Sequence, residues 1–220
     1  MKNRKIGNIL LVISCVAVAA SLLFAVKYLS GVVIRYYDNE RIICLDAGHG
    51  GSDSGARSAD GKRLEKDDNL RLTLKIKAEL EKRGVKVVLT RDDDSTVSLA
   101  NRCKKANRRR CDLFLAVHRN SSEKGSGFEA WISQIPKGRE KKTAAGLTEK
   151  LSEISSLADR GVHRGFRDSS AKDYYVNANT NMPSILLEVG FITSEADNKM
   201  FDRDIDRYAA AIAEIAAEAV

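Results

Sequence analysis

Proline is almost missing from this chain, with two in 220 residues, and that excludes a Pro-rich disordered linker. Aromatic residues make up only 6%. With neither an aromatic platform nor a densely basic helix, the usual nucleic-acid modules are excluded and no nucleic-acid partner is expected. The four cysteines, Cys15, Cys44, Cys103 and Cys111, contain no Cys-x-x-Cys pair, which argues against a cysteine zinc site. Cys44 falls in an apolar run and reads as a small hydrophobe. Cys103 and Cys111 are close enough in sequence to form a disulfide if the domain lies outside the cytoplasm. No internal repeat or low-complexity tract occurs. Histidine is scarce as well: there are three, His49, His118 and His163.

At 43% hydrophobic content the chain can build one domain with a core plus an appendage. The net charge is +7. A mildly basic folded part suits contact with an anionic polymer or surface. The first residues carry Lys2, Arg4 and Lys5, and the run from Ile9 to Val26 holds no charge. This predicts an uncleaved membrane anchor over residues 1–30, the basic cluster cytoplasmic and the rest outside, in the cell membrane. Two other readings stand beside it: a signal peptide cut near Ala20, and a lipoprotein site ending at Cys15. Residues 31–40 read as a short tether, and 41–220 as the folded domain.

Apolar runs and breakers predict strands over 41–45, 85–90, 112–117, 127–133, 173–176 and 184–188. Helices are predicted over 64–83, stopped by Gly84, and over 98–109, 139–155, 194–201 and 208–220. Residues 70–77 alternate like a strand, but length and composition favour helix. Asp46 to Lys62 is Gly-, Ser- and Asp-rich and reads as loop. Strands alternating with helices point to an α/β sheet with helices on both faces.

In such sheets ligands gather at the carboxyl ends of strands. His49 follows the first strand in Asp46-Ala47-Gly48-His49-Gly50-Gly51. His118 closes Leu113-Phe114-Leu115-Ala116-Val117, and Glu188 closes Ile185-Leu186-Leu187. Glu65 opens the first long helix. Two imidazoles and a carboxylate are a common hydrolytic zinc set, leaving a position for water, and a second carboxylate serves as proton shuttle. Taken alone, a strand-end histidine is more often structural and Glu65 reads as a solvated first-turn helix acid, whereas Glu188 is harder to dismiss, since a buried unpaired carboxylate is costly. The glycine loop read as a phosphate cradle lacks both the dinucleotide and the P-loop patterns. His163 lies in a basic loop, as a substrate contact or as nothing.

The motifs Asp46–Gly51, Glu65-Lys66, Thr90-Arg91, Arg102 with Ala106-Asn107, Val117-His118-Arg119-Asn120 and Met182-Pro183…Leu187–Phe191 occur in order. Together they resemble the zinc-dependent N-acetylmuramoyl-L-alanine amidases of the amidase-3 type, over residues 41–220. The resemblance implies one zinc ion held by His49, Glu65 and His118, with Glu188 as catalytic acid/base. It also implies a single α/β domain with a mostly parallel or mixed sheet of about six strands. The substrate it implies is the amide joining muramic acid to L-alanine in peptidoglycan. Asn120 and Arg102 are candidates for substrate binding. Arg119 stands where the family often has a small or apolar residue between His and Asn, a departure expected to alter the substrate groove. No inserted inhibitory helix is expected between the strand 127–133 and the next helix, and no wall-binding repeat is seen. A short anchor fused to a catalytic domain resembles sporulation amidases. The sequence names no protein activator. The alternatives are a non-catalytic wall-binding scaffold and a zinc peptidase or deacetylase.

Overall fold

A computed structural model describes residues 16–30, 40–167 and 172–220. The basic cluster at 2–5, Cys15, the first part of the apolar run and the tether at 31–39 lie outside the described residues. Residues 16–30 are helical (α1). The predicted single-pass anchor is corrected here. Among the described residues no helix is long and apolar enough to cross a membrane. At 1.5 Å per residue, the described part of α1 reaches roughly 22 Å, against about 30 Å of hydrocarbon. Placement of the folded domain on the outer side of a membrane rested on that span and falls with it.

Arg41–Val220 forms one compact unit. Its elements are β1 (Ile42–Ala47), α2 (Glu65–Lys82), β2 (Lys86–Leu89), α3 (Leu99–Arg109), β3 (Leu113–Asn120), β4 (Phe128–Ile132), α4 (Glu140–Ser155), β5 (Asp159–Arg164), α5 (Tyr175–Asn179), β6 (Ser184–Phe191) and α6 (Glu195–Glu218). The strands form one mixed sheet in the order β2-β1-β3-β6-β4-β5. Neighbours are parallel except β4 and β6, which are antiparallel.

Alternation along each strand feeds two cores. Ile43, Leu45, Leu113, Leu115 and Val117 join Leu72, Ile76, Leu147, Leu151, Tyr208 and Ile212 in the larger core, beneath α2, α4 and α6. Cys44, Phe114, Ala116 and Leu186 turn to the opposite face, against Cys103 and Ala106 of α3 and Val176 of α5. The central strand β6 is buried at every position, as a strand covered on both faces must be.

Helix ends follow from local chemistry. Ser98 caps α3 by accepting from the Asn101 N–H. Ser194 caps α6: its hydroxyl accepts from the Asp197 N–H at 3.2 Å and donates to Asp197 Oδ1 at 2.8 Å. The stretch 70–77 is helical, as its length and composition required. Gly84, at φ 71°, donates its N–H to Glu81 and stops the turn.

Four sequence expectations change. The predicted strand at 173–176 is instead the start of the short helix α5. The sixth strand is β5, which takes in most of the segment read as a basic loop; it sits at the sheet edge with none of its residues buried, so burial imposed no apolar pattern on it. The two predicted C-terminal helices are one, because Ile205 and Tyr208 carry the buried stripe through the charged segment between them. Cys44, Cys103 and Cys111 are buried and form no disulfide, so the expected Cys103–Cys111 bridge is not made. The link from β4 to α4 is short, running from Ser133 to Arg139.

Asp197 ties the carboxyl end of β6 to the turn before β4. It is buried and accepts from the N–H groups of Gly127 at 3.0 Å and Phe191 at 2.9 Å and from the Ser126 hydroxyl at 2.6 Å. Replacing it orphans several buried donors at once. Asp197→Ala is therefore expected to lower unfolding stability by about 2–4 kcal/mol in urea titration. A loss below about 0.5 kcal/mol, the range of ordinary surface changes, would show that water replaces the carboxylate at little cost.

Candidate metal centre

Three adjacent parallel strands deliver the reactive side chains to one edge of the sheet. Ala47 of β1 pairs with Val117 of β3, and His118 of β3 pairs with Glu188 of β6. His49 lies two residues past β1, and Glu65 is the first residue of α2. One ligand atom from each of His49, Glu65 and His118 lies within 4.8 Å of the other two. Glu188 lines the same cavity, of about 600 Å³, a size typical of small-ligand sites.

The loop carrying His49 is braced by two arginines. Arg91 donates from Nε to the Ala47 carbonyl at 2.9 Å, and from Nη2 to the carbonyls of Gly48 at 2.9 Å and Lys66 at 2.8 Å. Arg102 donates from Nη1 to Asp46 Oδ1 at 2.6 Å and the Ala47 carbonyl at 2.7 Å. It also donates from Nη2 to the His49 carbonyl at 2.7 Å and from Nε to the Val97 carbonyl at 2.9 Å. The side chain named as a substrate-binding candidate thus spends its donors on the metal-site loop. Within this brace His49 adopts a left-handed backbone, φ 62°, which costs energy for a residue with a Cβ.

Each imidazole is held by a carboxylate. His49 Nδ1 donates to Asp53 Oδ2 at 2.8 Å, leaving Nε2 facing Glu65 Oε1 at 3.2 Å. His118 Nδ1 donates to Glu65 Oε1 at 2.9 Å. Burial opposes charge on His49, but Glu65 and Asp53 outweigh it and lift its pKa to about 9. Burial likewise opposes charge on Glu65, and hydrogen bonds from His118 and His49 overcome it, holding the carboxyl well below its usual range. The pocket thus stabilises positive charge between two nitrogens and a carboxylate. A divalent cation displacing the ring protons fits that donor set and that field. Asp53 would then orient a ligand imidazole from behind.

Glu188 has a different environment. Its Oε2 is buried and has no hydrogen-bond partner among the described residues. Burial is the main reason its pKa rises to about 7; His118 and Arg167 oppose the rise, and Glu65 and Glu129 add to it. A carboxyl poised near neutrality beside a metal cluster is suited to moving protons.

Two side chains named from the sequence point elsewhere. Arg119 borders the groove, but its side chain does not enter it. Because β3 alternates, its side chain leaves the face opposite His118 and is 1% exposed. Its guanidinium donates to Asp68 Oδ2 at 2.6 Å and Asn198 Oδ1 at 2.7 Å and sits 4.2 Å above the Phe201 ring. His163 stacks on Trp131, ring centroids 4.7 Å apart. Asn120 is buried at the cavity wall and donates from Nδ2 to Glu129 Oε2 at 3.0 Å. Sequence reading missed Asp53, whose one signal is an acid four residues after His49. It also missed the wall formed by Phe166, Arg167 and Tyr174, for which no pattern in the sequence calls.

Residues 43–219 match the family profile described as N-acetylmuramoyl-L-alanine amidase. The chain is 36% identical over 159 residues to the uncharacterized protein YqiI of Bacillus subtilis, covering 71% of this chain and 73% of that one. It is also 36% identical over 170 residues to the endolysin of Bacillus phage SPP1, covering 74% of this chain but 59%, less than two thirds, of the endolysin. Among solved structures it resembles the catalytic domain of CwlV, an N-acetylmuramoyl-L-alanine amidase from Bacillus (Paenibacillus) polymyxa var. colistinus. That likeness has a TM-score of 0.68 at 31% identity, over 81% of this chain and 95% of that one.

Gly48 gives a direct test of the site geometry. A Cβ there would lie 2.2 Å from His118 Cε1, a distance no packing allows. Gly48→Ala is expected to push the imidazole aside and weaken metal binding by about 10- to 100-fold in a competition titration. Circular dichroism should stay native, since the displaced ring borders a cavity. Unchanged metal affinity would mean that His118 is not a ligand.

Proposed function

Because the chain belongs to the N-acetylmuramoyl-L-alanine amidase family and is an amidase of that kind, we propose that one zinc ion held by His49, Glu65 and His118 serves its chemistry. The bond cleaved is the amide between N-acetylmuramic acid and L-alanine in peptidoglycan. The observation that carries this reading is the convergence of two imidazoles and a buried carboxylate beside a second, proton-accepting carboxylate. When bound, zinc lowers the pKa of water and polarises a carbonyl.

The chain's own residues supply the rest. Asp53 orients the His49 ring through Nδ1 so that Nε2 faces the site, and Glu65 draws the His118 ring into the same cluster. Glu188 takes the proton of the attacking water through its unpartnered oxygen and returns it to the departing alanine nitrogen. Arg102 and Arg91 hold the His49 loop, and Asn120 fixes the neighbouring wall.

Glu188→Gln should cut release of stem peptides from purified sacculi by about 10²- to 10⁴-fold while zinc content, read by mass spectrometry, stays at one per chain. His49→Ala and His118→Ala should lose the ion. Retained digestion by the Glu188 variant, or full zinc in either histidine variant, would refute the assigned roles.

The pH profile gives a separate check. Glu188 acts as base only when ionised, so activity should rise with pH along an acid limb. Its midpoint should fall at or below the value of about 7 set by burial, because a bound cation favours the charged form. A limb rising only well above pH 7 would assign the proton transfer to another group.

A further inference from the structure

Arg167 is a cation at the rim of a cavity otherwise rich in carboxylates. It lines the same cavity as Glu188 and the metal ligands. Its side chain is exposed, and its partners are neutral: Nη2 donates to Asn120 Oδ1, and Nη1 to the Ser121 carbonyl at 3.4 Å. No carboxylate lies within ion-pair distance of it among the described residues. Other arginines of the unit satisfy acids, as Arg63, Arg102, Arg119 and Arg160 do.

The guanidinium is nevertheless held in place. Asn120 Oδ1 also accepts from the Ser121 N–H at 2.8 Å, and its amide group is turned by the bond to Glu129, which is itself paired with Arg160. On the chain, Gly165 donates its N–H to the Ile132 carbonyl at 3.0 Å, and the Phe166 ring packs on Tyr174 with centroids 4.7 Å apart. The result is an oriented guanidinium that no carboxylate of the described residues pairs, with N–H groups left over, close enough to Glu188 for its charge to act on that carboxyl. A fork of this kind matches a carboxylate in geometry and charge.

This inference rests on the amidase reading above. In peptidoglycan the residue after the alanine is a glutamate joined through its side chain, so its α-carboxyl is either free or amidated. We propose that Arg167 is a specificity-determining residue that binds the free α-carboxylate of this second stem residue and so selects non-amidated stems.

The test uses the full zinc-loaded chain and two muramoyl peptides that differ only in a free α-carboxylate or an α-carboxamide at the second stem residue. The wild-type chain should favour the free acid by about tenfold or more in kcat/KM, mainly through KM. Arg167→Gln should bring that ratio close to one, and Arg167→Lys should restore part of it. A variant that lost activity equally on both substrates, or kept the wild-type ratio, would overturn the proposal, since a merely structural role does not depend on substrate charge. Calorimetric binding of the product dipeptide, as acid and as amide, reads the same contrast without turnover. A wild-type chain that cleaved neither muramoyl peptide would overturn the amidase reading, while the binding contrast would still decide for or against Arg167.

Discussion

The site depends on one buried carboxylate. Glu65 accepts hydrogen bonds from His118, from the Asn69 amide at 3.2 Å and from the backbone N–H groups of Arg119 at 3.2 Å and Ala56 at 2.9 Å, and it faces His49 Nε2. Burying such a charge is costly unless it is fully satisfied. The satisfaction comes from three separate parts of the chain: the loop after β1, α2 itself and the end of β3. Each is held in register by serving the same two oxygens. The candidate metal centre is thus also the place where those segments are locked together.

The helical and central parts of this arrangement were legible because burial leaves a periodic trace. The strands β1, β3 and β6 are apolar runs, and their shared carboxyl edge marks His49, His118 and Glu188 as one cluster in the sequence itself. The edge strand β5 leaves no such trace, since half its neighbours are water, and its polar residues read as loop. Arg119 was misplaced for a related reason. Adjacency to His118 in sequence suggested adjacency in space, but one step along a strand reverses the face. Arg167 had no signal at all, because nothing in a polar stretch marks an exposed arginine as one that lines a cavity.

The arginines divide the labour of the domain. Arg91 and Arg102 bind main-chain carbonyls beneath the metal loop and replace a regular ladder where the chain turns sharply. Arg63 and Arg119 join Asp68 and lie against the Phe201 ring on the opposite face of the sheet, linking α2, β3 and α6. Such charges would be expensive in a dry interior without these partners. The net positive charge of the chain is therefore a poor guide to what it binds, because many of its cations are already committed internally.

The left-handed backbone of His49 has a consequence for how an ion would arrive. The loop's strained turn is held by the guanidinium groups of Arg91 and Arg102, bonds that belong to the folded polypeptide itself. An ion entering later meets donors already facing inward and has little conformational entropy to remove. Occupancy would then follow the free concentration of the ion in the surroundings, and each bound ion would add to the stability of the folded chain.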